Sequence, residues 1–339
     1  MWVQIPPSAP QLVKPRIIVD VMGADHPPAE LAWGAVHASA NLPLTLVLAA
    51  QRRDLPPHLP PTIEILDCDE GEGSSIARGI AAVGRGEADA FLSPGSTGAV
   101  VRAAVLQLGR LPGVLRPGLC ASLPTLHGEV LLIDAGATAD PKPAHLAQFA
   151  QLGLAYAERV LGIPRPTAGL LNIGTEQGKG DRLTRAAYDL LADRDGFIGN
   201  VEPHTILTER PADVVVCGGF SGNLFLKATE GGTEAILVTV REALRRSPRT
   251  RLGAWLAHPA LRAVGRRLRY EEHNAAPLLG VRGLVLVAHG RSDGRAIGGA
   301  LRRAFLACQA GIVETLHSLF APMGLANPGD PRVRSATPS

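Results

Sequence analysis

The sequence predicts an α/β protein built in three layers, a mostly parallel sheet with helices on both faces. Three observations carry that expectation. Nine apolar runs of strand length alternate with amphipathic stretches of helical length along almost the whole chain. Hydrophobic residues make up 46% of the 339 positions but aromatics only 4%, a balance that suits small, closely packed helices on a buried sheet. Polar clusters follow several of the apolar runs, where open α/β sheets gather their ligands.

In chain order the expected strands are RIIVDV (16–21), LTLVLAA (44–50), TIEILD (62–67), DAFLSP (89–94) and GLCASLP (118–124). EVLLIDAG (129–136), TAGLLNIG (167–174), ADVVVCGG (212–219) and VRGLVLVAHG (281–290) complete the set. Each is a short apolar run bounded by Gly, Pro, Asn or Asp. Between them, helical patterns fall near 28–40, 73–85, 97–109, 143–161, 181–194 and 221–246, with a last one at 293–318. A single domain is expected over 15–325, and the Pro- and Ser-rich tail at 326–339 is expected to be disordered.

No apolar run reaches the roughly 18 residues that would span a bilayer. The first fifteen residues lack a basic region followed by a long apolar core, so they read as a lead-in and not as a signal peptide. Cys68, Cys120, Cys217 and Cys308 are widely spaced and form no CxxC pair, the pattern of reduced thiols in a cytoplasmic protein. Of 34 basic residues only four are lysine, Lys14, Lys142, Lys179 and Lys227. In a chain that otherwise uses arginine, three of those lysines stand beside expected strand ends, where a compact point charge suits a tight phosphate pocket. Chance placement of four residues is the competing reading.

Several motifs bear on chemistry. NIGTEQGKGD (172–181) looks phosphate-binding but has three residues between Gly174 and the Gly178-Lys179 pair, not four, and Gly180 where a Walker loop needs Ser or Thr. SPGSTGAVV places Ser96 and Thr97 at the start of a helix, able to bind an anion or simply to cap the helix. GGFSGNLFLKA repeats the design with Asn223 at the cap and Lys227 one turn in. It is not a GxSxG elbow, so Ser221 is not expected to be a nucleophile. VMGADHPP offers Asp25 and His26 as a catalytic pair or as a helix-capping turn. His289 ends the last strand beside an Arg- and Asp-bearing loop, structural or acid/base by position. No His has an HExxH or CxxC companion, so neither a metal nor a cofactor is expected.

One segment departs from the alternation. Residues 241–269 hold nine arginines and one acid, a formal +8 in a chain whose total is +3. Trp255, Leu256, Leu261, Val264 and Leu268 could share a helical face flanked by Arg262, Arg266 and Arg267, with Arg245, Arg246 and Arg251 before them. A basic amphipathic helix with Trp reads as a membrane-surface element that favours anionic lipid. A core-packed helix, a dimer interface and a docking patch for an acidic partner are the alternatives. Nucleic acid is the weakest reading, since no nucleic-acid fold surrounds the segment.

Taken together, DVMGADHPP, SPGSTGAVV, RPGLCASLPT, LLIDAGATADPKPAHLAQFA, VLGIPRPTAGLLNIGTEQGKGD, FIGNVEPHTIL, ADVVVCGGFSGNLFLKATEG and APLLGVRGLVLVAHGRSDGRA resemble one family over about Ile17 to Phe320. It is the phosphate acyltransferases of bacterial phospholipid synthesis, the PlsX family. The resemblance implies an architecture related to isocitrate and isopropylmalate dehydrogenases and to phosphotransacetylase. It implies a cytoplasmic homodimer held peripherally at the inner face of the membrane. The implied reaction moves a fatty acyl group from acyl carrier protein to inorganic phosphate, and a glycerol-phosphate acyltransferase then uses the acyl-phosphate. On that resemblance Lys179 and Asn172 hold phosphate, and Ser96 and Thr97 add donors. Asn223 and Lys227 complete the cradle or polarise the carbonyl. His289 protonates the leaving sulfur or steadies the oxyanion, with Asp25 and His26 orienting it.

Six positions depart from the family's usual pattern: Ala24, Ser96, Thr138, Pro141, Gly218 and Ala288. Gly218 stands where an acid is usual. Two rival readings are a phosphotransacetylase-like enzyme using coenzyme A thioesters and a catalytically weak, membrane-associated scaffold. A dehydrogenase would need a GxGxxG fingerprint and a metal-binding acid cluster, neither of which the sequence offers.

Overall fold

The computed structural model describes residues 14–68, 72–268 and 275–321. Its strands are β1 (Arg16–Asp20), β2 (Thr45–Ala50), β3 (Glu64–Asp67), β4 (Ala90–Ser93), β5 (Gly118–Thr125) and β6 (Gly128–Ile133), then β7 (Ala168–Leu171), β8 (Phe197–Val201), β9 (Val214–Val216), β10 (Ala275–Leu279) and β11 (Leu284–Ala288). They join in one sheet in the order β3-β2-β1-β4-β11-β10-β5-β6-β9-β7-β8. Seven of the ten strand pairings are parallel, so the sheet is mostly parallel as expected. The three antiparallel pairings lie together in the middle, β11–β10, β10–β5 and β5–β6. Three reversals make the two parallel blocks run in opposite directions.

The helices are α1 (Pro28–Ser39), α2 (Glu72–Gly84), α3 (Thr97–Gln107), α4 (Pro143–Arg159), α5 (Arg182–Leu191) and α6 (Pro203–Thr208), then α7 (Gly219–Arg245), α8 (Pro248–Leu256), α9 (His258–Leu268), α10 (Gly294–Gln309) and α11 (Ile312–Phe320). Alternate strand residues feed two separate apolar cores, because side chains on a strand point to opposite faces. Ile17, Val19, Leu131 and Ile133 pack with Leu31 of α1, Leu146 of α4, Ala187 of α5 and Ile297 of α10. Ile18, Val130 and Leu132 pack on the other face with Ile76 of α2, Val100 of α3 and Ile206 of α6. That is the three-layer arrangement.

Four elements differ from the sequence expectation. β8 carries Gly199 at positive φ and has exposed positions, and β10 has Pro277 at its centre, so neither reads as an apolar strand. The six-residue α6 is too short to show a period. The helix expected over 293–318 breaks at Gly311, whose left-handed φ of 58° starts α11. Cys68, Cys120 and Cys217 are buried free thiols and Cys308 is half-buried. Burial pushes the Cys120 and Cys217 thiols well up and Cys308 to about 12, so these thiols stay protonated at neutral pH.

The basic segment is not one helix. Pro248 and Pro259 open α8 and α9, and Ala257 separates them, so Trp255 and Leu256 sit on α8 whereas Leu261 and Val264 sit on α9. Proline lacks the N–H that a continuous helix requires. α8 packs on α7, and α9 on α8. Trp255 is 71% and Leu256 67% exposed, and Arg245, Arg246, Arg251 and Arg262 are exposed beside them. Arg266, Arg267 and Leu268 belong to the end of α9, but their side chains lie outside the described residues, as do the tail at 326–339 and most of the N-terminal lead-in. Among the described residues no helix is long and apolar enough to cross a membrane.

The start of α7 is fixed by close backbone contact. A Cβ on Gly219 would come 2.5 Å from the Thr138 carbonyl oxygen, and one on Gly222 would overlap the Asp134 carbonyl. Gly218 is crowded differently: a Cβ there would lie 2.9 Å from Cγ of Pro141, and both residues are buried. Gly218→Asp should therefore destabilise the fold by about 1–3 kcal/mol from overpacking, before any penalty for a buried acid. Adding Pro141→Cys should recover much of that loss. Urea unfolding of the two single variants and the double variant measures the coupling, and strict additivity would refute the steric account.

Candidate functional site

The site grows from loops fixed by buried polar groups. Asp134 follows β6 and is fully buried. Its Oδ1 accepts N–H bonds from Leu119, Gly136 and Ala137 at 3.1, 3.1 and 2.7 Å, and Oδ2 accepts from Thr138 at 2.7 Å. Burial pushes this carboxyl's pKa up, and the four N–H groups pull it back. The folded 134–138 loop receives the glycine face of α7 and sets Gly136 beside Asn223.

A second buried carboxylate, Asp20, organises the other side. Its Oδ1 accepts from the Met22 N–H at 2.9 Å and Oδ2 from the Ser93 hydroxyl at 2.7 Å, while Ser93 Oγ accepts from the Gly95 N–H at 3.0 Å. This chain ties the loop after β1 to the loop that opens α3. Asp25 N–H donates to the Gly290 carbonyl at 2.8 Å, tying the same loop to the turn after β11.

The 134–138 loop, the start of α3 and the end of β11 border a cavity of about 360 Å³ on the α3/α7 side of the sheet. Thr97 and Gly98 of α3, Gly136, Asn223 and Lys227 of α7, and His289 supply its polar rim. Leu119 and Ala121 of β5, Ala276 of β10, Val287 of β11 and Leu226 of α7 supply an apolar floor and wall. A groove of about 530 Å³ between α1 and α10 is larger and more open, with Trp33, His37, Arg295 and Arg302 along it. We take the smaller cavity as the site because it gathers the strand-end groups.

Electrostatically the rim centres on three side chains. Lys227 Nζ lies 2.7 Å from Glu230 Oε2 and 3.2 Å from His289 Nε2, and that Nε2 is 4.0 Å from Glu230. His289 Nδ1 lies 3.1 Å from the Arg291 N–H and Nε2 lies 3.2 Å from the donor-only Lys227 ammonium, so each ring nitrogen faces a donor and a single neutral tautomer accepts from only one of them. Lys227 and the imidazole thus meet at the rim, near the N-terminus of the eleven-residue helix α3. A cationic donor beside a helix N-terminus suits an anionic oxygen.

The expected residues divide clearly. Thr97, Asn223, Lys227 and His289 line one cavity, with Ser96 adjoining as the α3 N-cap. Ser221 Oγ donates to the Gly218 carbonyl, an ordinary capping bond. Asp25 reaches the site only through its backbone, and His26 Nδ1 is 3.2 Å from Glu30 Oε2 on the surface. Lys179 and Asn172 do not line the cavity. Asn172 donates to the Lys179 carbonyl and accepts the Ile173 N–H, while Lys179 Nζ lies 4.0 Å from Glu176. Sequence reasoning missed Glu230 entirely, although its spacing of three from Lys227 was a usable signal for a helical ion pair. Among the described residues no group of three or more His, Cys, Asp or Glu could hold a metal ion.

The model of a family described as fatty acid synthesis protein matches residues 64–315. A phosphate acyltransferase from Desulfitobacterium hafniense is 41% identical over 321 residues, covering 89% of this chain and 96% of the relative. Among solved structures, a branched-chain phosphotransacylase from Enterococcus faecalis aligns with a TM-score of 0.57 at 15% identity, over 87% of this chain and 99% of its own. A phosphotransacetylase from Streptococcus pyogenes gives 0.56 at 14%, over 88% and 94%. At such identity the structural likeness speaks to fold, and it agrees with the phosphotransacetylase-related architecture. The match of sequence and family model over most of its length makes this chain a member of the phosphate acyltransferase (PlsX) family, and an acyltransferase.

Proposed function

We propose that this protein transfers a long-chain fatty acyl group from acyl carrier protein to inorganic phosphate, forming acyl-phosphate for glycerophospholipid synthesis. The observation that carries the reading is the meeting of Lys227, His289, Asn223 and the start of α3 on the rim of a cavity with an apolar floor. A phosphate oxygen attacks the thioester carbonyl carbon, the carbonyl electrons move onto oxygen, and the tetrahedral intermediate collapses with loss of the carrier's thiolate. A phosphate dianion is available near neutrality, as with phosphoserine's second pKa of about 6, so no covalent enzyme nucleophile is needed. The thiolate is a fair leaving group, with a reference thiol pKa of about 8.5.

Of the two roles considered for His289, we assign it that of steadying the oxyanion. Once phosphate draws the Lys227 ammonium away, Nε2 can carry the ring proton and donate a hydrogen bond to the oxyanion. Lys227, with Asn223 and the α3 N-terminus, holds phosphate as a localised positive charge, and Glu230 keeps the ammonium in place between turnovers. Lys179 with Asn172 remains the competing phosphate site.

Exposed Trp255 and Leu256 beside the arginines of α7–α9 support peripheral attachment to anionic lipid at the inner face of the membrane. The same basic surface suits docking of the acidic acyl carrier protein. The acyl-phosphate would then pass to a glycerol-phosphate acyltransferase. We place the enzyme in the cytoplasm as a homodimer, a state that light scattering of the purified chain measures.

Acyl carrier protein thioester should be consumed only when phosphate is present, with acyl-phosphate trapped as the hydroxamate. Turnover of acyl-coenzyme A in place of the carrier would favour the rival enzyme reading, and no turnover by folded protein the scaffold. Lys227→Ala should raise the KM for phosphate by roughly 10–150-fold, the worth of a charge-assisted hydrogen bond of about 1.5–3 kcal/mol. A larger effect from Lys179→Ala would move the phosphate site to the 172–181 loop. His289→Ala should lower kcat by about 10²–10³. In vesicle co-sedimentation, Trp255→Ala with Leu256→Ala should weaken binding to neutral and anionic lipid alike. Arg245→Glu with Arg251→Glu should weaken only the salt-sensitive binding to anionic lipid.

A further inference from the structure

The apolar surface of the cavity has a specific origin in the sheet. β10 and β5 are registered only at Leu278–Leu119 and Leu279–Gly118. Carried two residues further, that antiparallel register would set Ala276 opposite Ala121. Ala276 is itself paired with Val287 on its other side. Ala276, Ala121 and Val287 all face the side of the sheet covered by α3 and α7. The seam between the two halves is thus floored by two methyl groups where larger side chains would close it. Leu119 and Leu226 border the resulting slot, and Lys227 follows Leu226 directly at the polar rim.

We infer that this slot takes the acyl chain next to the reacting carbonyl, and that Ala121 and Ala276 determine how long a chain the enzyme accepts. The inference rests on reading the cavity as an acyl-transfer site. The five side chains named offer no hydrogen-bond donor or acceptor. An amide-bearing arm laid on them would leave its N–H and C=O groups unpaired, whereas an alkyl chain loses nothing and gains burial. The carbonyl then lies at the rim beside His289 and Lys227, and the chain runs away from it over the alanines. A larger side chain at either position occupies space that only the further methylenes of a long chain need. Ala276 is half-buried and can carry a larger side chain without breaking the core, while Ala121 is 7% exposed and gives less room.

The test compares palmitoyl and butyryl thioesters of acyl carrier protein on the full chain, as wild type, Ala276→Leu and Ala121→Val, with thermal unfolding to verify folding. Binding of cis-parinaric acid, a fluorescent long-chain fatty acid, is measured in parallel without phosphate. Ala276→Leu should lower the palmitoyl-to-butyryl ratio of kcat/KM by about tenfold or more, with the KM for phosphate unchanged and parinarate binding weakened. Ala121→Val should act in the same direction. Folded variants that keep the wild-type ratio, or that bind parinarate as wild type does, overturn the inference. If wild type turns over neither thioester yet binds parinarate in an Ala276-dependent way, the acyl-transfer reading fails and the chain-binding slot stands.

Discussion

The buried carboxylate of Asp134 is the constraint on which the site depends. Its two oxygens gather four backbone N–H groups, one from the start of β5 and three from consecutive residues of its own loop. A carboxylate so placed carries a heavy desolvation cost and needs every one of those bonds to offset it. The loop it folds is compact enough that Gly219 and Gly222 meet it backbone to backbone. That contact sets where α7 begins and how it crosses the sheet. Everything α7 contributes, Asn223, Leu226, Lys227 and Glu230, follows from that starting point and the helical rise.

The sheet itself explains why these residues find partners from the first half of the chain. Had all the strands been parallel, the loops after β4, β6, β9 and β11 would lie along one edge. Three antiparallel pairings reverse the second block. α7 and the turn at His289 then meet over the face of the sheet at the seam, and the cavity combines strand-end groups such as Thr97 and His289 with mid-strand residues such as Ala121. A narrow seam with two registered pairs leaves the open floor that a fully paired sheet would fill.

Much of this was legible in the sequence, for identifiable reasons. Continuous apolar runs mark β1, β2, β4, β6 and β11 because a strand buried on both faces has no polar alternation to lose. β10 escaped because Pro277 and two alanines carry little strand signal, although the strand sets the reversal. Thr97, Asn223, Lys227 and His289, singled out from their places at strand and helix ends, line one cavity. Lys179 was singled out by its glycine-rich surroundings; it lies outside the cavity, on a loop whose backbone Asn172 holds. Glu230 was passed over because an acid three residues from a lysine on a helix usually marks only a solvated ion pair. No local pattern could have told that Asp134 collects N–H groups from two strands' ends.

The closeness of the Pro141 ring to Gly218 couples two positions that are far apart in the sequence. A protein with a side chain at 218 cannot accept a proline ring at 141 without displacing something, whereas glycine at 218 is compatible with either neighbour. Substitution can therefore proceed smoothly in one order only, glycine first and proline second. Once proline is in place, the route back is closed at 218 until 141 has changed. Relatives with proline at 141 should therefore carry glycine at 218, whereas glycine at 218 leaves 141 free to vary.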